Sequence, residues 1–285
     1  MAVFWDVLKA IAFGIVEGIT EWLPISSTGH LILLEHFLKM DVSENYMEMF
    51  DVVIQLGAIF AVVLLFWKRL WPFGYSRGKG LGGVVFKEGA VPLWAKILIS
   101  CVPAAVVGIL WDDVFNALFY NPVSVAIALI AVGGVFILLE SRKANKAKEA
   151  RVRRVDDIAY WQALAIGVFQ VLAAVFPGTS RSGATIMGAL LIGLSRRTAA
   201  EYSFLLAVPV MFGASLLKLV KFGFAFTGTE LLLLAVGMIV SFVVSLFVIG
   251  FLMDYIRKHD FKVFGWYRIA LGAVVLIAAA AGVFK

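Results

Sequence analysis

The chain has 285 residues, of which 62% are hydrophobic and only 15% are charged, and it carries a formal net charge of +6. Its mean hydropathy is +0.97. Soluble proteins have about 45–50% apolar and about 25% charged residues, so this composition excludes an ordinary soluble domain and indicates a polytopic membrane protein. The one cysteine, Cys101, excludes an intramolecular disulfide and a multi-cysteine metal site.

The first predicted element is a broken helical hairpin. The apolar stretches Val3–Leu23 and Ser26–Leu38 are either shorter than a full span or broken, since Pro24-Ile-Ser-Ser separates them. Irregular backbone at membrane depth is tolerated only where protein or water covers it, so a re-entrant hairpin here predicts an internal cavity. The segment lacks the basic start and the small-residue cleavage site of a signal peptide, and we expect it in the mature protein.

Two carboxylates lie in this first hairpin. Glu17 and Glu21 are spaced i, i+4, so a helix projects both from one face. Their mutual repulsion would be relieved by a hard divalent cation, Mg²⁺ or Ca²⁺, which prefers oxygen ligands. The alternative is that one glutamate caps a helix or forms an ion pair within the bundle.

Hydroxyls and an imidazole follow the break. Ser26, Ser27 and Thr28 mark a helix start, where capping is the ordinary role, and for Ser26 and Thr28 capping and phosphate binding stay equally open. His30 follows Ser27 by three residues, so a helix can bring the imidazole beside that hydroxyl. A serine with a neighbouring base is a candidate nucleophile. The competing interpretation of His30 is a packed, hydrogen-bonded core histidine.

Six longer apolar stretches approach the ~20 residues that cross a ~30 Å hydrocarbon core. They predict an all-α polytopic fold with six spans. They are Met49–Trp67, Leu93–Leu110, Val123–Leu139, Ala199–Val220, Leu231–Met253 and Phe264–Phe284.

A second broken hairpin, Ile158–Phe176 with Ser180–Leu194, lies between the third and fourth spans. Its break offers helix-start N–H groups, several hydroxyls and one guanidinium, which are the parts of a phosphate-binding site. A capped helix start with the arginine paired to a buried carboxylate is the alternative. The candidate phosphate-binding residues of this run are Thr179, Ser180, Arg181, Ser182 and Thr185.

The two halves of the chain are related by an offset of 153, which aligns Pro24 with Pro177. Each half has one broken hairpin and three spans, and this odd number predicts an inverted repeat with hairpin tips meeting near the midplane. A chance match is the alternative. We expect one integral membrane domain over 1–285, with a first repeat over 1–140, a basic cytoplasmic linker over 141–157 and a second repeat over 158–285. The same offset pairs Ala12 with Ala165, Gly14 with Gly167, Glu17 with Gln170, Ser27 with Ser180 and Glu48 with Glu201.

The basic residues cluster in four loops, which the positive-inside rule assigns to the cytoplasm. The basic-poor connections near 41–48, 112–121 and 227–230 are then expected to face outward. This topological reading is preferred over nucleic-acid binding, so no nucleic-acid partner is expected. The basic residues are Lys68, Arg69, Arg77, Lys79, Lys87, Arg142, Lys143, Lys146, Lys148, Arg151, Arg153, Arg154, Arg196, Arg197, Arg257, Lys258 and Lys262.

Four runs of this sequence carry a family resemblance: Glu17-x-x-x-Glu21, Pro24-Ile-Ser-Ser-Thr-Gly-His30, Phe50-Asp-Val-Val-Ile-Gln-Leu-Gly57 and Pro177-Gly-Thr-Ser-Arg-Ser-Gly-Ala-Thr185. They resemble the motifs of the bacterial undecaprenyl-diphosphate phosphatase family, also called bacitracin-resistance proteins. The resemblance covers essentially the whole chain. It implies a multi-pass inner-membrane hydrolase that removes the terminal phosphate of a C55 isoprenyl diphosphate for cell-wall synthesis. It also implies a divalent cation, re-entrant helices and an active site open to the outer face.

The family motifs fall on named positions of this sequence. The acidic motif matches Glu17 and Glu21, and the remaining motifs match Ser26, Ser27, His30, Ser180, Arg181 and Thr185. A phosphoserine at Ser27 with His30 as base, and direct attack by water activated by His30 or Glu21, both stay open. The rival function is a transporter or flippase of a lipid-linked phosphate, since inverted repeats are transporter architecture. The partners expected are the lipid substrate and membrane lipid, with a homodimer left open.

Overall fold

The computed structural model describes residues 2–76, 83–144 and 150–284. Within them the chain forms twelve α-helices, one short 3-10 turn over Val155–Asp157 and one pair of antiparallel strands. The strands are β1 (Phe73–Ser76) and β2 (Gly83–Phe86). The helices are α1 (Ala2–Thr20), α2 (Ser27–Phe37), α3 (Glu44–Val53), α4 (Gln55–Leu65), α5 (Trp67–Leu70), α6 (Ala90–Phe119), α7 (Pro122–Ala144), α8 (Tyr160–Val175), α9 (Arg181–Leu191), α10 (Arg196–Phe222), α11 (Gly228–Lys258) and α12 (Lys262–Ala280).

The prediction of an all-α polytopic membrane protein with six spans is confirmed. Six helical stretches of the described chain are long and apolar enough to cross a membrane. The first joins α3 and α4, which meet at Ile54 without leaving helical backbone. The six are Glu44–Leu65, Ala90–Trp111, Pro122–Arg142, Arg196–Phe222, Gly228–Lys258 and Lys262–Ala280.

The insert between the first two spans differs from the sequence-based expectation. Its glycines predict a flexible loop over Trp71–Ala90, whereas its described flanks pair as β1 and β2, with Phe73 opposite Phe86. Aromatic and β-branched side chains favour strands in these flanks, and the part of the predicted loop at 77–82 lies outside the described residues. Arg77 and Lys79 lie outside the described residues, as do Lys146 and Lys148 of the linker.

The helices pack in close pairs around the two broken hairpins. The long helix α11 lies against both α1 and α4, while α6 lies against α8 and α7 against α12. Small residues let these backbones approach, as in other membrane bundles. A Cβ on Gly14 of α1 would lie 2.6 Å from the Gly237 carbonyl oxygen of α11. Each hairpin is therefore fixed to a full-length span of the other half of the chain.

The contact between α4 and α11 gives a stability prediction. A Cβ on Gly57 would overlap the Met238 carbonyl, whereas a Cβ on Gly108 of α6 would meet open space. Gly57→Ala is expected to destabilise the protein by about 1–3 kcal/mol through overpacking. The matched control Gly108→Ala should gain about 0.5–1 kcal/mol, because alanine is the better helix former. Thermal melting in detergent measures both, and equal melting temperatures would contradict the close contact.

Candidate active site

The two hairpin breaks share one backbone feature. Ser26 and Ser180, with φ of 75° and 69°, are the non-glycine residues of positive φ in the described chain. Each caps the helix that follows, since the Ser26 hydroxyl accepts from Gly29 N at 3.3 Å and the Ser180 hydroxyl accepts from Gly183 N at 3.2 Å. Strained non-glycine backbone costs of order 1–3 kcal/mol and clusters at functional sites. The capping role of Ser26 is thus present, and both breaks are candidates for function.

Glu21 is the centre of the polar cluster between the breaks. Its Oε1 accepts from Arg181 Nη2 at 3.1 Å and from Arg181 Nε at 3.3 Å. Its Oε2 accepts from the Ser27 hydroxyl at 3.0 Å, and its main-chain carbonyl accepts from the Ser182 hydroxyl at 3.0 Å. Residues 160 positions apart are thereby joined in a buried site. The structure brings together Glu21, Ser27, Arg181 and Ser182.

Residues of α9 and α10 hold the Arg181 side chain in place. Its Nη1 donates to the Ser203 carbonyl at 2.8 Å, and the Ser203 hydroxyl lies 2.7 Å from the Thr185 hydroxyl. The guanidinium carbon lies 5.9 Å from the centre of the fully buried Trp22 ring, a cation–π contact. Ser203 and Trp22 were missed by the sequence interpretation, because a serine inside a span and a tryptophan beside a break have ordinary packing roles.

His30 has partners other than Ser27. Its Nδ1 lies 2.7 Å from the Ser26 carbonyl, and its Nε2 lies 2.7 Å from the Tyr267 hydroxyl. A carbonyl only accepts, so Nδ1 carries the hydrogen, and in the neutral ring Nε2 accepts from Tyr267. The helical spacing predicted the imidazole beside the Ser27 hydroxyl, but that hydroxyl donates to Glu21 instead. The hydrogen-bond partner of the Ser27 hydroxyl is therefore Glu21 and not His30.

Arg268 of α12 joins the two breaks and is fully buried. Its Nη1 donates to the Pro24 carbonyl at 3.2 Å, and its Nη2 donates to the Gly178 and Thr179 carbonyls, both at 2.8 Å. One planar group thus fixes both loops at a defined separation. The sequence contained a signal for Arg268 that was not used, since an ionisable residue inside the last apolar span is a functional candidate by default.

Glu17 and Gln170, which the repeat aligns, are both buried polar side chains. Both carboxylate oxygens of Glu17 and both amide atoms of Gln170 lack a hydrogen-bond partner among the described residues. Buried polar atoms are ordinarily satisfied, so two orphaned carboxylate oxygens one helical turn before Glu21 fit a cation ligand. No group of three His, Cys, Asp or Glu side chains suited to a metal occurs in the described chain.

The remaining predicted phosphate-binding residues lie in the same two loops. Thr28 is half-buried in the first turn of α2. Thr179 is buried, with its carbonyl on Arg268, and the Ser180 hydroxyl lies 3.0 Å from that of Ser182. Both helices begin at these loops, and one first-turn N–H of each, Gly29 N and Gly183 N, donates to the hydroxyl of its cap serine.

Six apolar helices around a buried cluster of acid, serine and arginine define a membrane protein with a candidate hydrolytic site. The chain belongs to the family of the bacitracin resistance protein BacA, which matches residues 10–274. It is 60% identical over 272 residues to the undecaprenyl-diphosphatase of Desulfitobacterium hafniense, covering 95% of each chain. It is 57% identical over 272 residues to undecaprenyl-diphosphatase 1 of Clostridium acetobutylicum, covering 95% of this chain and 97% of that protein. It is 57% identical over 277 residues to an undecaprenyl-diphosphatase of Enterococcus faecalis, covering 97% and 98%.

Proposed function

We propose that the protein is an undecaprenyl-diphosphatase, a hydrolase that releases the terminal phosphate of a C55 isoprenyl diphosphate and returns the monophosphate carrier to cell-wall synthesis. Relatives with 60% and 57% identity over most of the chain carry this name. The observation that carries the site assignment is the contact of Glu21 with both Ser27 and Arg181. A nucleophile, its base and a phosphate-binding cation thus lie within one buried cluster.

In the proposed reaction the lipid tail stays in the membrane and the diphosphate enters between the two breaks. A guanidinium has five N–H donors, and Glu21 and Ser203 leave part of the Arg181 set for phosphate oxygens. First-turn N–H groups of α2 and α9 add further donors. Phosphoryl transfer depends mainly on positioning and on stabilising charge on the transferred group, and these groups supply both.

The chemical step is proposed as a two-stage transfer. A bond forms from Ser27 Oγ to the terminal phosphorus while the bond from that phosphorus to the bridging oxygen breaks, and the hydroxyl proton passes to Glu21 Oε2. The C55 monophosphate leaves. Water then hydrolyses the phosphoserine, which releases phosphate and restores Ser27. The competing route is attack by water activated by Glu21 or by His30. The ring nitrogens of His30 contact the Ser26 carbonyl and the Tyr267 hydroxyl rather than Ser27.

A divalent cation is proposed at Glu17 and Glu21. The orphaned oxygens of Glu17 support it. Mg²⁺ and Ca²⁺ both prefer oxygen ligands, and Mg²⁺ is commonly bound through one or two carboxylates with substrate phosphates and water completing its shell. When bound, the ion would neutralise charge on the diphosphate.

An inverted repeat with re-entrant hairpins is proposed for the fold. Three features support it. First, α1 packs on α11 as α8 packs on α6. Second, both breaks have a strained cap serine. Third, the contact between α7 and α12 is reciprocal, as for residues near a two-fold axis: a Cβ on Gly133 would lie 2.7 Å from Gly265 O, and a Cβ on Gly265 would lie 2.8 Å from Gly133 O. By its capping role, Ser26 corresponds to Ser180, one residue away from the alignment of Ser27 with Ser180.

The same proposal includes the organisation into 1–140, 141–157 and 158–285, a bacterial inner-membrane location and a site open to the outer face. Ion pairs support the gathering of the basic loops at one end. Arg69 pairs with Asp156 of the basic linker at 3.5 Å and with Glu201 at 2.6 Å, in the second turn of α10 after the basic pair Arg196 and Arg197. A homodimer stays a prediction.

The test is phosphate release from a C55 isoprenyl diphosphate by the purified full chain, with Mg²⁺ and with a chelator. We expect release to need the cation. Ser27→Ala should lower the rate by at least about 10²-fold, because covalent attack is lost. The control Ser215→Ala removes another buried serine, whose hydroxyl donates to Val52 O at 3.0 Å, and should keep the rate.

The outcomes separate the mechanisms and the rival function. A phosphoserine at Ser27 in quenched reactions would support covalent transfer, whereas a near-normal rate in Ser27→Ala would assign attack to water. A folded wild-type protein that releases no phosphate would contradict the hydrolase and favour the transporter or flippase.

A further inference from the structure

The segment that follows the first span presents a continuous row of exposed aromatic rings. The Trp67 and Trp71 rings stack at 4.7 Å, the Trp71 and Phe73 rings lie 5.5 Å apart, and the Phe73 and Phe86 rings lie 5.1 Å apart. All four side chains are 38–64% exposed. We define Trp67, Trp71, Phe73 and Phe86 as the aromatic row. The row is contiguous, because each of its rings lies within 5.5 Å of the next.

The position of the aromatic row indicates what covers it. The apolar helix Glu44–Leu65 ends two residues before Trp67, so the row begins where a span leaves the hydrocarbon. Tryptophan and other amphipathic rings are enriched at this depth, where one end of the side chain is apolar and the other is wet. The occupant of the row is therefore the interfacial layer of a phospholipid leaflet.

A basic cavity lies beside the row and shares α5 with it. The cavity has a volume of about 420 Å³ and is lined by four basic residues, Lys68, Arg69, Lys87 and Arg154, and by two carboxylates, Glu88 and Asp156. Asp156 is already paired, at 3.5 Å with Arg69 and at 3.3 Å with Arg154. Lys68 and Lys87 make no ion pair with a carboxylate within the described residues, although Lys87 Nζ donates to Lys68 O at 3.2 Å. Two ammonium groups are thus left for an anion.

We propose that this cavity and the aromatic row form a binding site for an anionic phospholipid, with the phosphate headgroup between Lys68 and Lys87 and the acyl chains along the rings. Basic pockets beside membrane helices bind such headgroups. The adjacent rings favour a lipid over free phosphate, because inorganic phosphate gains nothing from them. The site is distinct from the cluster around Glu21 and does not depend on the proposed hydrolase.

The test is lipid binding to the purified full chain, measured by native mass spectrometry with phosphatidylglycerol, phosphatidylcholine or inorganic phosphate. Wild type should prefer phosphatidylglycerol. The double variant Lys68→Gln/Lys87→Gln should lose affinity by roughly fivefold for each lysine, since a near-surface cation contributes about that factor. The charge-matched control Lys258→Gln/Lys262→Gln, which also removes two basic residues, should bind as wild type.

A second readout places the acyl chains. Phosphatidylglycerol with brominated acyl chains should quench tryptophan fluorescence in wild type, and Trp67→Phe/Trp71→Phe should lose most of the headgroup-dependent quenching. Equal binding of the two phospholipids, unchanged affinity in Lys68→Gln/Lys87→Gln, or displacement of the lipid by inorganic phosphate would each overturn the proposal.

Discussion

Replacing Arg181 by lysine is expected to lower phosphate release from a C55 isoprenyl diphosphate by about 10³-fold, as removal of a transition-state arginine does elsewhere. Lysine keeps the charge but loses the planar fork that reaches Glu21 and Ser203 together. The loss should fall on kcat, because the guanidinium stabilises charge that develops on the transferring phosphoryl group. Steady-state kinetics in detergent measures it, with Arg197→Lys, an exposed arginine of α10, as the control.

A double variant tests whether the Glu21–Arg181 pair as a whole is only structural. If the two groups only neutralised each other, Arg181→Met/Glu21→Gln would remove both charges and regain much of the activity. We expect no such recovery, because we propose that both groups take part in the reaction. Recovery in the double variant would show that the pair is structural.

Replacing Arg268 by lysine is expected to lower the rate by on the order of 10²-fold, because small misplacements of catalytic groups have effects of this size. One ammonium cannot span the carbonyls of Pro24, Gly178 and Thr179, which the two terminal nitrogens of Arg268 reach from between the breaks. The charge is kept, so the result reports on geometry. The rate and the melting temperature should be measured together.

The control for Arg268 is Arg257→Lys, which changes a more exposed arginine near the end of α11. Arg268 acts through the loops rather than on substrate, so it is a positioning residue. Its variant should lose affinity for substrate and kcat together, since both breaks move. A normal rate at an unchanged melting temperature would contradict this role.

The spans and the two polar runs could be predicted from the sequence because each is a local signal. Long apolar stretches predicted the six spans, and Pro24 and Pro177 predicted the breaks. Charges inside apolar segments marked Glu17, Glu21 and Arg181 as candidates, since such residues are costly in lipid without a polar cavity. The bounds of the helices were less predictable: α6 continues to Phe119, through most of the predicted connection at 112–121, because hydropathy marks the apolar part of a helix and not its end.

The contacts of His30 could not be predicted in this way. Its spacing from Ser27 permits contact on a helix, but Tyr267, 237 residues later, lies at its Nε2. Arg268, next to Tyr267, binds both breaks. Partners this distant in sequence depend on how α12 packs between the hairpins, and spacing along one helix carries no information about it.

The sequence by itself determined that the chain is a membrane protein, where its helices break and which residues are candidates for chemistry, because hydropathy, proline and buried charge act over a few residues. The tertiary structure decided which of those groups meet. It places the Ser27 hydroxyl and the Arg181 guanidinium on Glu21, and the His30 ring beside Tyr267. It also shows that Ser203 contacts Arg181 and that Arg268 contacts both breaks. Those pairings follow from the packing of helices remote in sequence, where desolvated polar groups must find partners at the point at which the breaks meet.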